Sequence, residues 1–165
     1  AELADRLGIP LLTLVDTPGA DPRQAAEDDG LAPAIGAALD AVLACRSPTV
    51  ALVHGEGGSG GAIAAAATDR VLVTPEAYFI ALGPEGAAAA LRLPADEAAD
   101  RMAITPADLR RLGFADALVP APASATAAGL RRTVADAVGL LSAQPAAERL
   151  TTRRRRWTAP LPGGR

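Results

Sequence analysis

Five glycines crowd into seven residues at Gly55-Glu56-Gly57-Gly58-Ser59-Gly60-Gly61, between a β-branched apolar stretch, Thr49 to Val53, and an almost pure alanine stretch, Ala62 to Ala67. That order reads as strand, glycine loop, short helix. The unpaired N–H groups of the helix's first turn would point at whatever fills the loop, which makes it a site for negative charge. Four chemistries could use it. A phosphate-binding P-loop needs Gly-Lys-Ser/Thr, and the chain contains no lysine. Gly55, Gly57 and Gly60 match the dinucleotide pattern G-x-G-x-x-G, with Glu76 near the ribose-binding position, but the apolar run Val71 to Val73 returns too soon for the usual crossover helix. Ser59 could be a nucleophile at a strand-to-helix turn, yet it needs a base. The single histidine, His54, lies just upstream on the strand, where it reads as a partly buried polar residue at a strand end, and Ser59 reads as a small loop residue or helix cap. In the fourth chemistry the backbone acts: the amides of Gly60 and Gly61 form an oxyanion hole for charge developing on a bound carbonyl. A turn that only packs helix on strand needs one or two glycines and leaves the others unexplained.

The elements around this stretch alternate. Leu3 and Leu7 mark a short helix ending at Gly8, and Leu11 to Val15 is a continuous apolar run suited to a strand buried on both faces. Asp16-Thr17-Pro18-Gly19 follows it as a turn of type II; without a P-loop lysine, Asp16 cannot serve as the aspartate of a GTPase. Ala20 to Gly30 reads as a solvated loop and helix start, its Glu27-Asp28-Asp29 run lacking the spacing of metal ligands. Leu31, Ile35, Leu39 and Leu43 predict a helix ending near Arg46, stopped by Ser47-Pro48. This succession predicts an α/β domain with largely parallel strands, whose ligands gather at the strands' carboxyl ends. Both the Asp16 to Gly19 turn and the glycine loop lie there.

Tyr78 to Ala81 reads as a further short strand, running into Gly83-Pro84-Glu85-Gly86 and an alanine helix to Leu91 whose amides could face the same pocket. Glu85 is placed to cap that helix or orient the loop. Thr105-Pro106-Ala107-Asp108 is a helix start, ended by Gly113. Phe114 to Val119 reads as a strand and Pro120 to Ser124 as a linker. Leu130, Val134, Val138 and Leu141 mark an amphipathic helix. Arg153-Arg154-Arg155-Arg156, with Trp157 behind it, reads as a solvated helix end, or as a phosphate contact to a coenzyme. Residues 1–122 are thus read as the core, 123–158 as a C-terminal helical extension and 159–165 as a disordered tail.

With 165 residues, half of them hydrophobic, the chain can bury one core. Its opening, AELADRLGIP, reads as the end of a helix entering a strand, so the expectation is a segment whose fold begins in residues before Ala1. The lone Cys45 rules out an internal disulfide framework and a cysteine-rich zinc site. No run approaches a membrane span and no signal peptide opens the sequence, so a cytoplasmic setting without membrane partners is expected. The formal net charge of −3 offers nothing to nucleic acid.

Leu11 to Ala20 (LLTLVDTPGA), His54 to Ala62 (HGEGGSGGA), Pro84-Glu85-Gly86 and Ile104 to Pro120 (ITPADLRRLGFADALVP) together resemble the carboxyltransferase of acetyl-CoA carboxylase, alpha-subunit type. The resemblance covers about three quarters of the chain. It departs from the family's pattern at Asp21-Pro22, at Glu27 to Gly30 and at Gly83, where a serine is usual. It implies the crotonase/ClpP-like fold of repeated ββα units, here partial, and a transferase that moves a carboxyl group from carboxybiotin on a carrier protein to acetyl-CoA or another short acyl-CoA, giving malonyl-CoA for fatty acid biosynthesis. Gly60 and Gly61 would be the oxyanion amides, with Gly57 and Gly58 shaping the loop. Asp16, Thr17, Pro18 and Gly19 would line the site, and Pro84, Glu85 and Gly86 would wall it. Implied partners are a beta-type carboxyltransferase half, the biotin carboxyl carrier protein and the acyl-CoA, in an oligomer; the implied cofactors are biotin and a coenzyme A thioester, with no metal in this chain. Two other readings stay open: a hydratase or isomerase of the same fold, whose carboxylates would come from Glu27 to Asp29, and a catalytically degenerate assembly subunit.

Overall fold

The computed structural model describes residues 1–158, with only the backbone considered at 122 and 123. Helix α1 (Glu2–Leu7) ends at Gly8 in the left-handed conformation and leads into strand β1 (Leu11–Thr17). Helices α2 (Gln24–Asp28) and α3 (Leu31–Ala44) follow, then strand β2 (Thr49–Gly58), helix α4 (Ser59–Ala66), and strands β3 (Arg70–Val73) and β4 (Tyr78–Ile80). Helices α5 (Pro84–Leu91), α6 (Ala95–Met102) and α7 (Pro106–Arg111) precede strand β5 (Ala117–Leu118), and α8 (Ala121–Ser124), α9 (Ala127–Ser142) and α10 (Ala146–Thr158) complete the described chain.

Every strand pair in the sheet is parallel, in the order β1-β2-β3-β5, with β4 also on β2. Strand β2 is the axis because it changes partner along its length. Its first half, Val50 to Val53, pairs with β3, and its second half, Glu56 to Gly58, pairs with β4. Between the halves lies a bulge: Val15 pairs with Val53, but Thr17 pairs with Gly57. Two extra residues of β2 are accommodated there, and Gly55 takes φ 115°, which side chains rarely tolerate. The glycines therefore do not form a loop from residue 55 onward as the sequence predicts. They extend the strand, because Tyr78 to Ile80 supplies a parallel partner that no local pattern announces.

The alternation of β2 divides the core. Ala51 and Val53 face α4 and α7 with Val15, Val71, Val73, Phe79 and Leu109, while Val50 and Leu52 face α9 with Leu72, Val119, Ala137 and Leu141. Strand β1 is not buried on both faces as its apolar run predicts: Leu12 and Leu14 are exposed, as are Leu3, Leu7 and Ile9 of the α1 segment.

Several boundaries differ from the sequence reading. Helix α3 ends at Ala44 rather than near Arg46, the Phe114 to Val119 strand shrinks to the residues of β5, and the Pro120 to Ser124 linker contains the turn of α8. Helix α6 is not foreseen: it exposes Asp96, Glu97 and Asp100 and buries only Ala98, too little for an apolar period. The tail assigned to 159–165 lies outside the described residues.

The largest correction concerns the arginine run. Only Arg154 and Arg155 are exposed. Arg153 has a fully buried side chain whose Nε and NH2 donate to the two oxygens of Asp69 at 2.8 and 2.7 Å. Its NH1 donates to the carbonyls of Val42 and Cys45 at the end of α3, groups a helix end leaves without internal partners. Arg156 pairs with Asp116 at 2.5 Å. Arg149 donates to Leu141 O and Gln144 O at the end of α9 and to Arg46 O. Trp157 stacks edge-on against Phe114, and its indole N–H donates to Thr68 O. These residues recur every three or four positions, so one face of α10 binds the core through cations.

Candidate functional site

At the carboxyl end of β2, Gly58 stands at the N-cap of α4, not Ser59, which is the helix's first residue and has φ 57°. A non-glycine residue in that conformation is strained. The turn is forced by crowding on one side and left open on the other. A Cβ at Gly58 would lie 2.0 Å from the carbonyl oxygen of Pro18, and one at Gly57 would lie 2.5 Å from the Phe79 ring. A Cβ at Gly19, whose φ is 140°, would lie 3.4 Å from Ser59 Cβ. The structure thus brings Thr17, Pro18 and Gly19 directly against Gly57, Gly58 and Ser59; Gly19 N–H also meets Thr17 Oγ1 at 3.4 Å.

Gly60 and Gly61 are different. A Cβ at Gly60 would touch only Ile35 at 3.4 Å, and one at Gly61 would meet nothing within 4 Å. Neither has the positive φ that demands glycine. Glycine in a helix costs about 1 kcal/mol relative to alanine, and nothing in the chain's own packing at Gly61 offsets that cost. Their N–H groups belong to the first turn, which the helical ladder cannot serve, and no other acceptor among the described residues takes them. Two adjacent backbone donors, on half-exposed residues, are therefore left without a partner among the described residues at the positive end of α4.

Asp16 holds this geometry from the neighbouring strand. Its Oδ1 accepts the Glu56 N–H at 3.0 Å across the bulge, where a Cβ on Gly55 would collide with the same carboxylate at 2.4 Å. Glu56 in turn accepts from Tyr78 Oη at 2.7 Å. That hydrogen bond, with partial burial and the nearby charges of Glu56 and Asp16, holds the Tyr78 phenol above its ordinary range. Sequence reasoning missed Glu56 and Tyr78 in this role, since their partners lie far apart in the chain and become neighbours only through β2–β4 pairing.

Pro84, Glu85 and Gly86 form the first turn of α5 behind Gly83 as N-cap. Gly86 packs on Leu82, where a Cβ would come within 2.9 Å of the side chain. This turn follows β4 and opens at the same end of the sheet, but no hydrogen bond among the described residues ties it to Gly57 to Gly61. His54 is exposed, not partly buried, and lies within β2 rather than at its end; its Nδ1 is 3.3 Å from Thr74 Oγ1. Ser59 has no hydrogen-bonded base among the described residues, which leaves the nucleophile reading without support. Glu27, Asp28 and Asp29 are exposed on and after α2, with Asp28 bonded to Gln24. No group of acidic, histidine or cysteine side chains suited to a metal occurs among the described residues, and none of their helices is long and apolar enough to cross a membrane.

Comparison with known proteins adds the following. The profile of the family described as "Acetyl co-enzyme A carboxylase carboxyltransferase-like" matches residues 1–159. The acetyl-coenzyme A carboxylase carboxyl transferase subunit alpha of Xanthobacter autotrophicus is 52% identical over 124 residues, which is 73% of this chain and 39% of that protein. The subunits beta/alpha protein of Salinispora tropica is 50% identical over 128 residues, 76% of this chain and 23% of that one. The chain therefore spans well under half the length of these relatives. The crystal structure of the transcarboxylase 12S hexamer, with hydrolyzed methylmalonyl-coenzyme A bound, superposes with a TM-score of 0.73 at 25% identity, covering 86% of this chain and 28% of that one.

Proposed function

Because the chain belongs to the acetyl co-enzyme A carboxylase carboxyltransferase-like family and has its crotonase-type α/β fold, we propose that it is the alpha-type half of a biotin-dependent acyl-CoA carboxyltransferase. The observation that carries the reading is the pair of amides at Gly60 and Gly61, which have no acceptor among the described residues, with no atom where a Gly61 side chain would begin. Carboxybiotin, presented on a carrier protein, would supply the carboxyl group for transfer. A flat carbonyl-bearing group fits here because Gly61 leaves unfilled the volume that a side chain would take.

The chain's own contribution is electrostatic and positional. The Gly60 and Gly61 N–H groups donate to the carbonyl oxygen on which negative charge grows, and their rigid place in a helix turn spares the reorganisation that solvent would require. Gly57 and Gly58 set that turn by packing on Phe79 and Pro18. Asp16 fixes the strand leading into it through Glu56 N–H, and Thr17 to Gly19 form the adjoining wall. Pro84 to Gly86 supply a second helix start on the same side. No side-chain base is asked of this chain, in keeping with Ser59 and His54, which share no hydrogen bond. A beta-type half would bind the acyl-CoA thioester opposite these amides, and acetyl-CoA is the acceptor that the family's name supports. The hydratase reading receives no favouring observation, since Glu27 to Asp29 are exposed and Asp28 is bonded to Gln24.

The test is carboxyl transfer from malonyl-CoA to free biocytin, using the full-length protein with its beta-type half. Gly61→Val, which keeps the N–H but fills the empty space beside it, should lower kcat by about the 10²- to 10³-fold typical of an oxyanion donor put out of reach, with assembly intact. Wild-type protein without transfer from malonyl-CoA, or a Gly61→Val variant of full activity, would overturn the proposal.

A further inference from the structure

Glycine and serine stand in unexpected places along residues 57 to 61. The one left-handed backbone among them, φ 57°, belongs to Ser59, the one residue of the five that is not glycine, although glycine adopts that conformation without steric cost. Nothing among the described residues accounts for the serine. It caps no helix, since α4 has no side-chain cap hydrogen bond, and its hydroxyl bonds to no described residue. Nor is that hydroxyl sealed in. The one buried side-chain polar atom without a partner among the described residues is the Arg149 Nε, so the oxygen of the half-buried Ser59 reaches solvent.

Its place is at the site already described. The Ser59 Cβ lies 3.4 Å from where a Cβ on Gly19 would stand, against the Thr17 to Gly19 wall. The next two residues are Gly60 and Gly61, whose N–H groups have no acceptor among the described residues. An accessible hydroxyl therefore adjoins two unpaired amides, on a residue held in strain that the chain's own packing does not explain. Strain of that kind marks a side chain kept for what it does.

We propose that Ser59 is a third donor of this site, its hydroxyl giving a hydrogen bond to an oxygen of the carboxylate being transferred while the Gly60 and Gly61 amides hold the carbonyl. This role rests on the carboxyl-transfer reading and assigns, within it, the residue that distinguishes a carboxylated ligand from an uncarboxylated one. A carbonyl oxygen has two lone pairs, which two amides fill, so the carboxylate beside it needs a donor of its own. A hydroxyl can rotate toward that acceptor, whereas a backbone N–H in a helix turn is fixed. The acceptor's charge makes such a bond shorter and stronger than one between neutral groups. Ser59 acts as donor only: its proton stays on Oγ and no bond to carbon forms, which agrees with the lack of a hydrogen-bonded base beside it.

Transfer from malonyl-CoA to biocytin, with the full-length protein and its beta-type half, tests it in two variants. Ser59→Ala removes the hydroxyl and keeps the strained backbone; Ser59→Gly removes both. Biocytin gains its carboxyl group only in the transfer, so both variants should keep the wild-type KM for biocytin and lose kcat by about tenfold or more, the scale of one hydrogen bond to a charged group. Calorimetric melting of the same proteins should place Ser59→Gly above wild type, because glycine relieves the positive φ; activity and stability then move in opposite directions. Full kcat in Ser59→Ala, a raised KM for biocytin with kcat unchanged, or a Ser59→Gly protein that melts no higher than wild type would overturn the role of Ser59 and leave the amide reading standing. Wild-type protein without transfer would overturn both.

Discussion

The two ends of the parallel sheet solve opposite problems with opposite materials. At the carboxyl end, the backbone N–H groups of Gly60 and Gly61 have no acceptor among the described residues, and a Cβ there would meet only Ile35 or nothing within 4 Å. At the amino end, long arginines of α10 satisfy the carbonyls that α3 and α9 leave open. One end leaves backbone donors unpaired among the described residues, whereas the other spends side-chain donors on the fold. A residue's worth to stability and its worth to activity should therefore separate along β2.

The largest effect should come from the amino end. Arg153→Ala strands the Asp69 carboxylate, 4% exposed at its side chain, in the core. Removing one partner of such a pair typically costs about 3–5 kcal/mol, measurable by urea denaturation. A loss below about 1 kcal/mol would show that α10 is dispensable and break the contrast.

Two neighbouring glycines sharpen it. Gly58→Ala forces a Cβ onto the Pro18 backbone and should destabilise the protein by about 1–3 kcal/mol, the usual range for overpacking. Gly61→Ala meets no atom within 4 Å and should raise stability by up to about 1 kcal/mol, from helix propensity alone. Equal melting temperatures for the two variants would refute the claim that Gly61 is free of internal packing.

The smallest effect is electrostatic. The Tyr78 phenol should ionise above the usual value of about 10, because the Glu56 carboxylate accepts its proton in a hydrogen bond. Being raised in the folded state, this group contributes stability below the unfolded pKa that disappears as pH climbs through the folded one. Absorbance at 295 nm should show the midpoint falling in Glu56→Gln; no change would remove Glu56 from the support of the turn.

Much of this architecture is legible in residue order. Thr49 to Val53 and Val71 to Val73 announce buried strands by apolar runs, and Leu130 to Leu141 announces the covering helix by its period, because burial leaves a repeating trace in composition; Leu11 to Val15 announces a strand but not its burial, since Leu12 and Leu14 are exposed. The glycine stretch declares a site, since five glycines exceed what any turn requires. Its ordering is not legible: the pairing of Glu56 to Gly58 with β4, the Asp16 clamp and the role of Gly58 each depend on contacts between distant segments. The arginine run shows the limit most sharply. Four consecutive arginines look alike in sequence, yet the helical turn buries Arg153 against Asp69, half-buries Arg156 and leaves Arg154 and Arg155 in solvent. By itself the sequence determined the parallel α/β alternation and the place of the glycine turn in it, which arise from local periodicity and conformational freedom. Only the tertiary structure decided which donors stay free and which are consumed, because an acceptor's distance is set by packing across the whole chain.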